Sequence, residues 1–153
     1  MKLTLAEVQN IDNTLNQFKR VKVLNDSFIE VGQIFRATSI QEFILDLQVV
    51  VRTLESEKNE AVKAKRLCEM YLYLVIKYFT DFDDIKNYNL ESKQGVGKAL
   101  EAIKILTDTE ILEKVMSTIP ESEFKKLSQA IVNTQTIADI FLDNKYFHEK
   151  QPL

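Results

Sequence analysis

The chain has few of the residues on which enzymes and metal proteins most often depend. Its 153 residues include one histidine (His148), one cysteine (Cys68), three glycines and no tryptophan. A single cysteine cannot form an internal disulfide, and a lone histidine near a chain end is more often exposed to solvent than catalytic. The composition therefore favours a protein that is not an enzyme, with no catalytic residues, no cofactor and no metal ion.

The charge balance is slightly acidic, with 23 acidic and 20 basic residues and a net charge of −3. Nucleic-acid-binding proteins usually carry a clear basic surplus, so the overall composition argues against nucleic acid as a partner. The local exception is a small basic spot, Lys19-Arg20 with Lys22 beside Phe18, which would suit contact with a phosphate backbone.

No apolar run reaches the roughly 18 residues that a membrane-spanning helix needs. The first residues also become polar too soon for the apolar core of a signal peptide. We therefore expect a protein of the bacterial or phage-infected host cytoplasm, or of the virion, without a membrane partner.

Two polar segments resemble ligand-binding loops but fail at the positions that define such loops. In an EF-hand counted from Asp81, the sixth and twelfth positions require Gly and Glu, whereas this chain has Lys86 and Ser92. Residues 92–98 resemble the end of a phosphate-binding loop, but Ser92 and Ala99 replace the required Gly and Ser or Thr. The sequence therefore predicts neither a calcium site nor a nucleotide site.

Apolar residues recur every three or four positions along most of the chain, which predicts amphipathic helices. The first helix begins at a capping box formed by Thr4 and Glu7 and ends near Arg20. Its apolar stripe requires a covering partner. The stripe consists of Leu5, Val8, Ile11, Leu15 and Phe18.

Residues 20–31 contain two short β-branched runs on either side of Asn25-Asp26. This pattern is typical of a hairpin, but the turn lacks the glycine that short hairpin turns prefer. A lone hairpin also needs other elements to pack against. The sequence leaves two alternatives here, a pair of short strands or a loop with a helical turn.

The helical core is predicted over residues 39–143, beginning at a capping box of Ser39 and Glu42. The polar segment 55–60 contains neither Pro nor Gly, so Ser39–Phe79 is either one long helix or two.

The stretch Ala61–Phe79 is apolar most of the way round, which predicts the most buried helix of the protein. Within it we expect Leu72 and Val75 to be fully buried, and Cys68 to be a small buried hydrophobic residue.

The last helix carries an apolar seam from Phe124 to Phe141, with alternating steps of three and four residues, and residues 144–153 form a tail. The sequence as a whole predicts an all-α fold, a single-domain helical bundle of five to six helices. It leaves undecided whether a small β-hairpin is present near residues 20–31. The domain covers residues 1–153, with the first helix and the hairpin or loop in residues 1–38.

Four residues are predicted to bind a partner. Tyr73 and Tyr88 belong to a group of tyrosines larger than one core needs, and tyrosines are frequent anchors of interfaces. Ile137 and Phe141 add apolar surface to the last helix, and large exposed apolar patches are rare on stable monomers. We therefore expect a protein partner or a homo-oligomer, and no small-molecule substrate.

Two segments of the chain resemble small helical proteins of Gram-positive phages. They are Tyr78-Phe79-Thr80-Asp81-Phe82, after a long helix, and Val115–Glu123, which leads into the last helix. The resemblance covers residues 40–143 and carries over no catalytic residue. Some of those proteins are taken to be tail assembly chaperones. The resemblance therefore implies a phage tail assembly chaperone or a structural accessory protein.

The alternative function is that of a small regulatory protein. Such a protein would inhibit a host enzyme, or would associate with nucleic acid through the basic spot around Lys19 to Lys22.

Overall fold

The computed structural model describes the backbone of residues 1–150 and the side chains of residues 1–135. In this part of the chain, six α-helices and one two-stranded antiparallel sheet follow one another. This confirms the predicted single, mostly helical domain. The elements are α1 (Leu5–Asn13), β1 (Phe18–Leu24), β2 (Ser27–Gly32), α2 (Ala37–Thr53), α3 (Glu60–Phe79), α4 (Lys93–Asp108), α5 (Ile111–Thr118) and α6 (Glu121–Lys150), with a 3-10 turn at Asp83–Ile85.

Helix α1 begins at the predicted capping box. The Glu7 amide donates to the Thr4 hydroxyl oxygen at 3.3 Å, and the Thr4 amide donates to the Glu7 carboxylate at 3.0 Å. The helix ends at Asn13, earlier than predicted, because Phe18 already belongs to β1. None of the residues of α1 is buried, so no part of the described chain covers its apolar stripe.

Strands β1 and β2 form the hairpin that the sequence left open. Asn25 at the turn has a φ of 46°, a left-handed conformation that Asn tolerates better than most residues, so the turn forms without glycine. The chain that follows α3 lies beside β2 as a short third segment, since the Asp81 amide donates to the Glu30 carbonyl of β2 at 3.1 Å. The inner face of the hairpin buries Ile29 and Val31.

Residues 39–79 form two helices, α2 and α3. Helix α3 begins after Asn59, whose side chain accepts hydrogen bonds from the Ala61 and Val62 amides, the second and third of the helix. Helix α2 begins at Ala37 without a side-chain cap, so the capping box predicted for Ser39 and Glu42 is wrong. The two helices are joined by an ion pair in which Lys77 Nζ lies 2.7 Å from Asp46 Oδ2.

Helix α3 lies at the centre of the core, packed between α2 and α4. Its buried residues are Met70, Tyr73, Leu74, Val75, Ile76 and Phe79. Val75 is fully buried as predicted, but Leu72 is only half-buried and Cys68 is exposed. The predictions for Leu72 and Cys68 are wrong because a helix that is apolar nearly all round does not reveal which side its neighbours cover.

An aromatic cluster joins the hairpin to the helices. Phe35, just before α2, stacks on Phe79 with ring centroids 3.6 Å apart and meets the edge of Phe124 of α6 at 6.0 Å. The Phe35 amide also donates to Glu123 at the start of α6, at 2.8 Å. The segment before α2 is therefore fastened to both α3 and α6.

Helix α6 packs on the core through its first half, where Leu127 is fully buried. The helix continues to Lys150, so the predicted change to a tail at residue 144 is corrected. Neither Pro nor Gly interrupts residues 121–150, and nothing local ends the helix at residue 143. The side chains of Ile137 and Phe141 lie outside the described residues.

Candidate protein-binding surfaces

Among the exposed apolar surfaces of the described part of the chain, two are candidates for binding a partner. The first, which we call the N-terminal stripe, consists of Met1, Leu3, Leu5, Val8 and Ile11. The second, which we call the Tyr88 groove, is lined by Phe82, Ile85, Tyr88, Ala102, Ile105 and Leu106. The N-terminal stripe lies mainly on α1, and one side of the Tyr88 groove is formed by α4.

The Tyr88 groove lies between α4 and the segment that follows α3, and encloses about 370 Å³. Its most exposed member is Ile105, which is 54% exposed despite its size. Lys98 and Glu101 of α4 also line it, and neither forms an ion pair with another described residue. The groove therefore combines an apolar floor with two charges of opposite sign.

Two side-chain hydrogen bonds, one of them fully buried, hold the segment that forms one wall of the groove. The Tyr73 hydroxyl donates to the Ile85 carbonyl at 2.5 Å, and the Thr53 hydroxyl donates to the Leu90 carbonyl at 2.6 Å. Gly95 of α4 allows a close approach, since a Cβ there would lie 1.7 Å from the Asn89 carbonyl oxygen. These contacts fix the wall to α2, α3 and α4 in the unbound protein.

The two tyrosines predicted to bind a partner have different positions. Tyr73 is fully buried, and burial raises the pKa of its hydroxyl to about 12. It contacts no solvent, so its prediction as a partner-binding residue is wrong. Tyr88 is half-buried in the groove, with its ring centroid 6.1 Å from that of Tyr73. Tyr73 thus supports the surface on which Tyr88 lies.

The N-terminal stripe lies on a helix that is attached to the body by polar contacts. Arg36 forms an ion pair with Asp12 and donates to the Asn16 side chain at 2.8 Å. Leu5 and Ile11 are 73% and 61% exposed. Helix α1 is therefore anchored at its C-terminal end while its apolar stripe faces outward.

The basic spot predicted around Lys19 to Lys22 is divided by the hairpin. Side chains alternate along β1, so Arg20 and Lys22 lie on its outer face with Phe18, whereas Lys19 points the other way. Arg20 forms an ion pair with Glu30 at 3.2 Å and lies 6.0 Å from the ring of Phe28. Of the three basic side chains in the predicted spot, Arg20 is therefore neutralised by Glu30, and Lys19 lies on the opposite face of β1 from Arg20 and Lys22.

The polar segments that resembled ligand loops have structural roles. Asp81 accepts from the Glu30 amide at 2.8 Å and fastens the hairpin, while Ser92 caps α4 by accepting from the Gly95 amide at 3.0 Å. Within the described residues, no three His, Cys, Asp or Glu side chains are grouped so as to hold a metal ion. No helix there has the length and apolar character to cross a membrane.

Comparison with known protein families gives a match over residues 5–149 to the family described as YomO. The chain belongs to the YomO family. This family is associated with Bacillus phages and prophages, in agreement with the phage character inferred from the sequence. No curated protein and no solved structure was found to be similar.

The match to the YomO family includes the whole Tyr88 groove and the part of the N-terminal stripe that lies on α1, but not Met1 and Leu3, since it begins at residue 5. The structure places Tyr88 half-buried in the wall of the groove, where its prediction as a partner-binding residue still stands as a prediction, whereas the sequence did not single out Ile105. Ile105 lies off the apolar stripe formed along α4 by Val96, Ala99 and Ile103, next to Lys104. A large aliphatic residue outside the buried stripe of its helix is the feature that could have revealed it.

Proposed function

We propose that this YomO-family chain is a non-enzymatic assembly protein, which binds another phage protein by taking an apolar helix of that partner into the Tyr88 groove. A tail assembly chaperone or a structural accessory protein is the specific role that we propose. The observation that carries the proposal is the exposed apolar floor of the groove beside Lys98 and Glu101.

Known helix-binding grooves have an apolar floor, into which side chains spaced three or four residues apart are inserted, and a polar rim. Tyr88 and Ile105 supply partly exposed apolar area, and tyrosine is frequent among the residues that dominate interface energies. Lys98 and Glu101 lie three residues apart on α4, so a partner with an acid and a base at matching spacing gains two ion pairs. This charge pattern would fix the direction of the bound helix.

The proposal is tested by co-expressing the tagged chain with each structural protein of the phage that encodes it, followed by affinity purification. We expect one of them to co-purify, and Ile105→Asp to reduce its recovery at least tenfold, because a charge would then be buried in the apolar floor. Leu45→Asp is the matched control. Leu45 is 61% exposed on α2, away from the groove, so its variant should retain the partner.

Equal recovery with both variants would place the binding site elsewhere. Recovery of a host enzyme in place of a phage structural protein would favour the regulatory alternative.

A further inference from the structure

We infer that α1 pairs antiparallel with α1 of a second copy of the chain, across a two-fold axis at Val8, and that the protein is a homodimer. This inference uses the N-terminal stripe and does not depend on the Tyr88 groove. The stripe belongs to a helix whose residues are all exposed, although its first turn carries a complete capping box. A nine-residue helix has little stability in water without tertiary contacts, so burial of its apolar side would stabilise it.

The exposed area of the stripe agrees with that of a dimer interface. Its five side chains each expose on the order of 100 Å², or roughly 500 Å² of apolar surface together. Homodimer interfaces are about 65% apolar, so this corresponds to roughly 800 Å² in total per copy. That is the area each partner contributes to an interface of standard size.

The spacing of the stripe is symmetric about its centre. Leu5 and Ile11 lie three residues before and three residues after Val8. In an antiparallel pair centred on Val8, Leu5 of each copy therefore meets Ile11 of the other, and Val8 meets its own equivalent. A two-fold interface requires this kind of self-complementary pattern.

Leu3 extends the stripe beyond the helix. It precedes the capping residue, and a hydrophobic residue at this position commonly packs on the fourth residue of the helix, which here is Val8.

The charges of α1 favour the antiparallel direction. The helix carries two acids, Glu7 and Asp12, and no base. In the antiparallel register Glu7 lies opposite Gln9 of the second copy, and Asp12 lies opposite Thr4, so no two like charges meet. A parallel pair would place each acid beside its own equivalent and would align the two helix dipoles unfavourably.

The first experiment measures the mass of the full chain by sedimentation equilibrium at micromolar concentrations. We expect about twice the 17.7 kDa of one chain, and a monomer for the double variant Val8→Asp/Ile11→Asp. The matched control is Asn10→Asp/Asn13→Asp, which adds the same charge to the exposed polar side of α1 and should remain dimeric. A monomeric unmodified chain, or a dimer that survives Val8→Asp/Ile11→Asp, would overturn the inference.

The second experiment tests the register by disulfide crosslinking, in a Cys68→Ser background because Cys68 is exposed. Val8→Cys should crosslink to itself under mild oxidation, whereas Asn10→Cys should not. Leu5→Cys and Ile11→Cys should crosslink when the two variants are mixed. Each alone should not, since equivalent positions would lie about 9 Å apart along the axis. Crosslinking of Leu5→Cys to itself in preference to the mixture would indicate a parallel pair and would refute the register.

Discussion

Replacing Phe35 by alanine should be one of the most destabilising single changes in this protein. Phe35 is 1% exposed, stacks on Phe79 and meets the edge of Phe124, so its ring fills the junction between the hairpin, α3 and α6. Removal of a buried phenylalanine side chain costs about 3–5 kcal/mol in lost transfer energy and cavity formation. The aromatic contacts account for about 0.5–1.5 kcal/mol per pair. We therefore expect a decrease of at least about 3 kcal/mol in the free energy of unfolding.

Urea unfolding at one fixed protein concentration, followed by far-ultraviolet circular dichroism, measures this change. The matched control is Phe18→Ala, which removes the same side chain from a position that is 60% exposed and should cost less than about 0.5 kcal/mol. The slope of the unfolding free energy against urea should be the same for all three proteins. A cost below about 1 kcal/mol for Phe35→Ala, or equal costs at the two positions, would refute the assignment of Phe35 to the core.

Three further predictions concern the core and its hydrogen bonds. Leu74→Ala should lower the free energy of unfolding by about 2–5 kcal/mol, because Leu74 is fully buried. Leu72 is only half-buried, so Leu72→Ala should cost less than half as much. Equal costs for the two variants in urea unfolding would contradict this prediction. Glu123→Ala should cost about 1–3 kcal/mol by thermal unfolding, since it removes the acceptor of the Phe35 amide. Glu121→Ala is the control, and it should lower the free energy of unfolding by less than about 0.5 kcal/mol, because the ion pair of Glu121 is exposed. Burial raises the pKa of Tyr73 from 10.0 to about 12, so its contribution to stability should be constant below pH 10 and decrease between pH 10 and 12, where only the unfolded chain loses the proton. Urea midpoints that do not fall over this range would contradict that assignment.

Local features of the fold could be predicted because they depend on residues close together in sequence. The capping box of Thr4 and Glu7 forms as expected, and the polar segment 55–60 falls where α2 gives way to α3. The sequence left two alternatives for the hairpin segment, because its turn lacks glycine and its strands are too short to be stable alone. In the folded protein the hairpin gains the tertiary contacts that isolated strands lack. Ile29 and Val31 are buried against the helices, and the Glu30 carbonyl accepts from the Asp81 amide.

The surface that we propose to bind a partner could be predicted only in part from the sequence. Tyr73 and Tyr88 are both tyrosines in an aromatic-rich part of the chain, and composition alone does not separate them. Tyr73 is buried because the chain turns back after α3, which brings the carbonyl of Ile85, twelve positions further along, to the Tyr73 hydroxyl. Ile105 was missed because its exposure depends on where the segment after α3 crosses α4.

By itself, the sequence of this protein determined the helical class and the first helix cap, since these follow from local spacing and from hydrogen bonds within a few residues. It also located the polar segment 55–60, but the structure was needed to show that α2 and α3 are separate helices. Only the tertiary structure decided which apolar residues are covered. The same three- and four-residue spacing leads to a buried face on α3 and to an exposed stripe on α1. The physical reason is that an amphipathic pattern defines an apolar face, whereas its burial depends on neighbours brought together from distant parts of the chain.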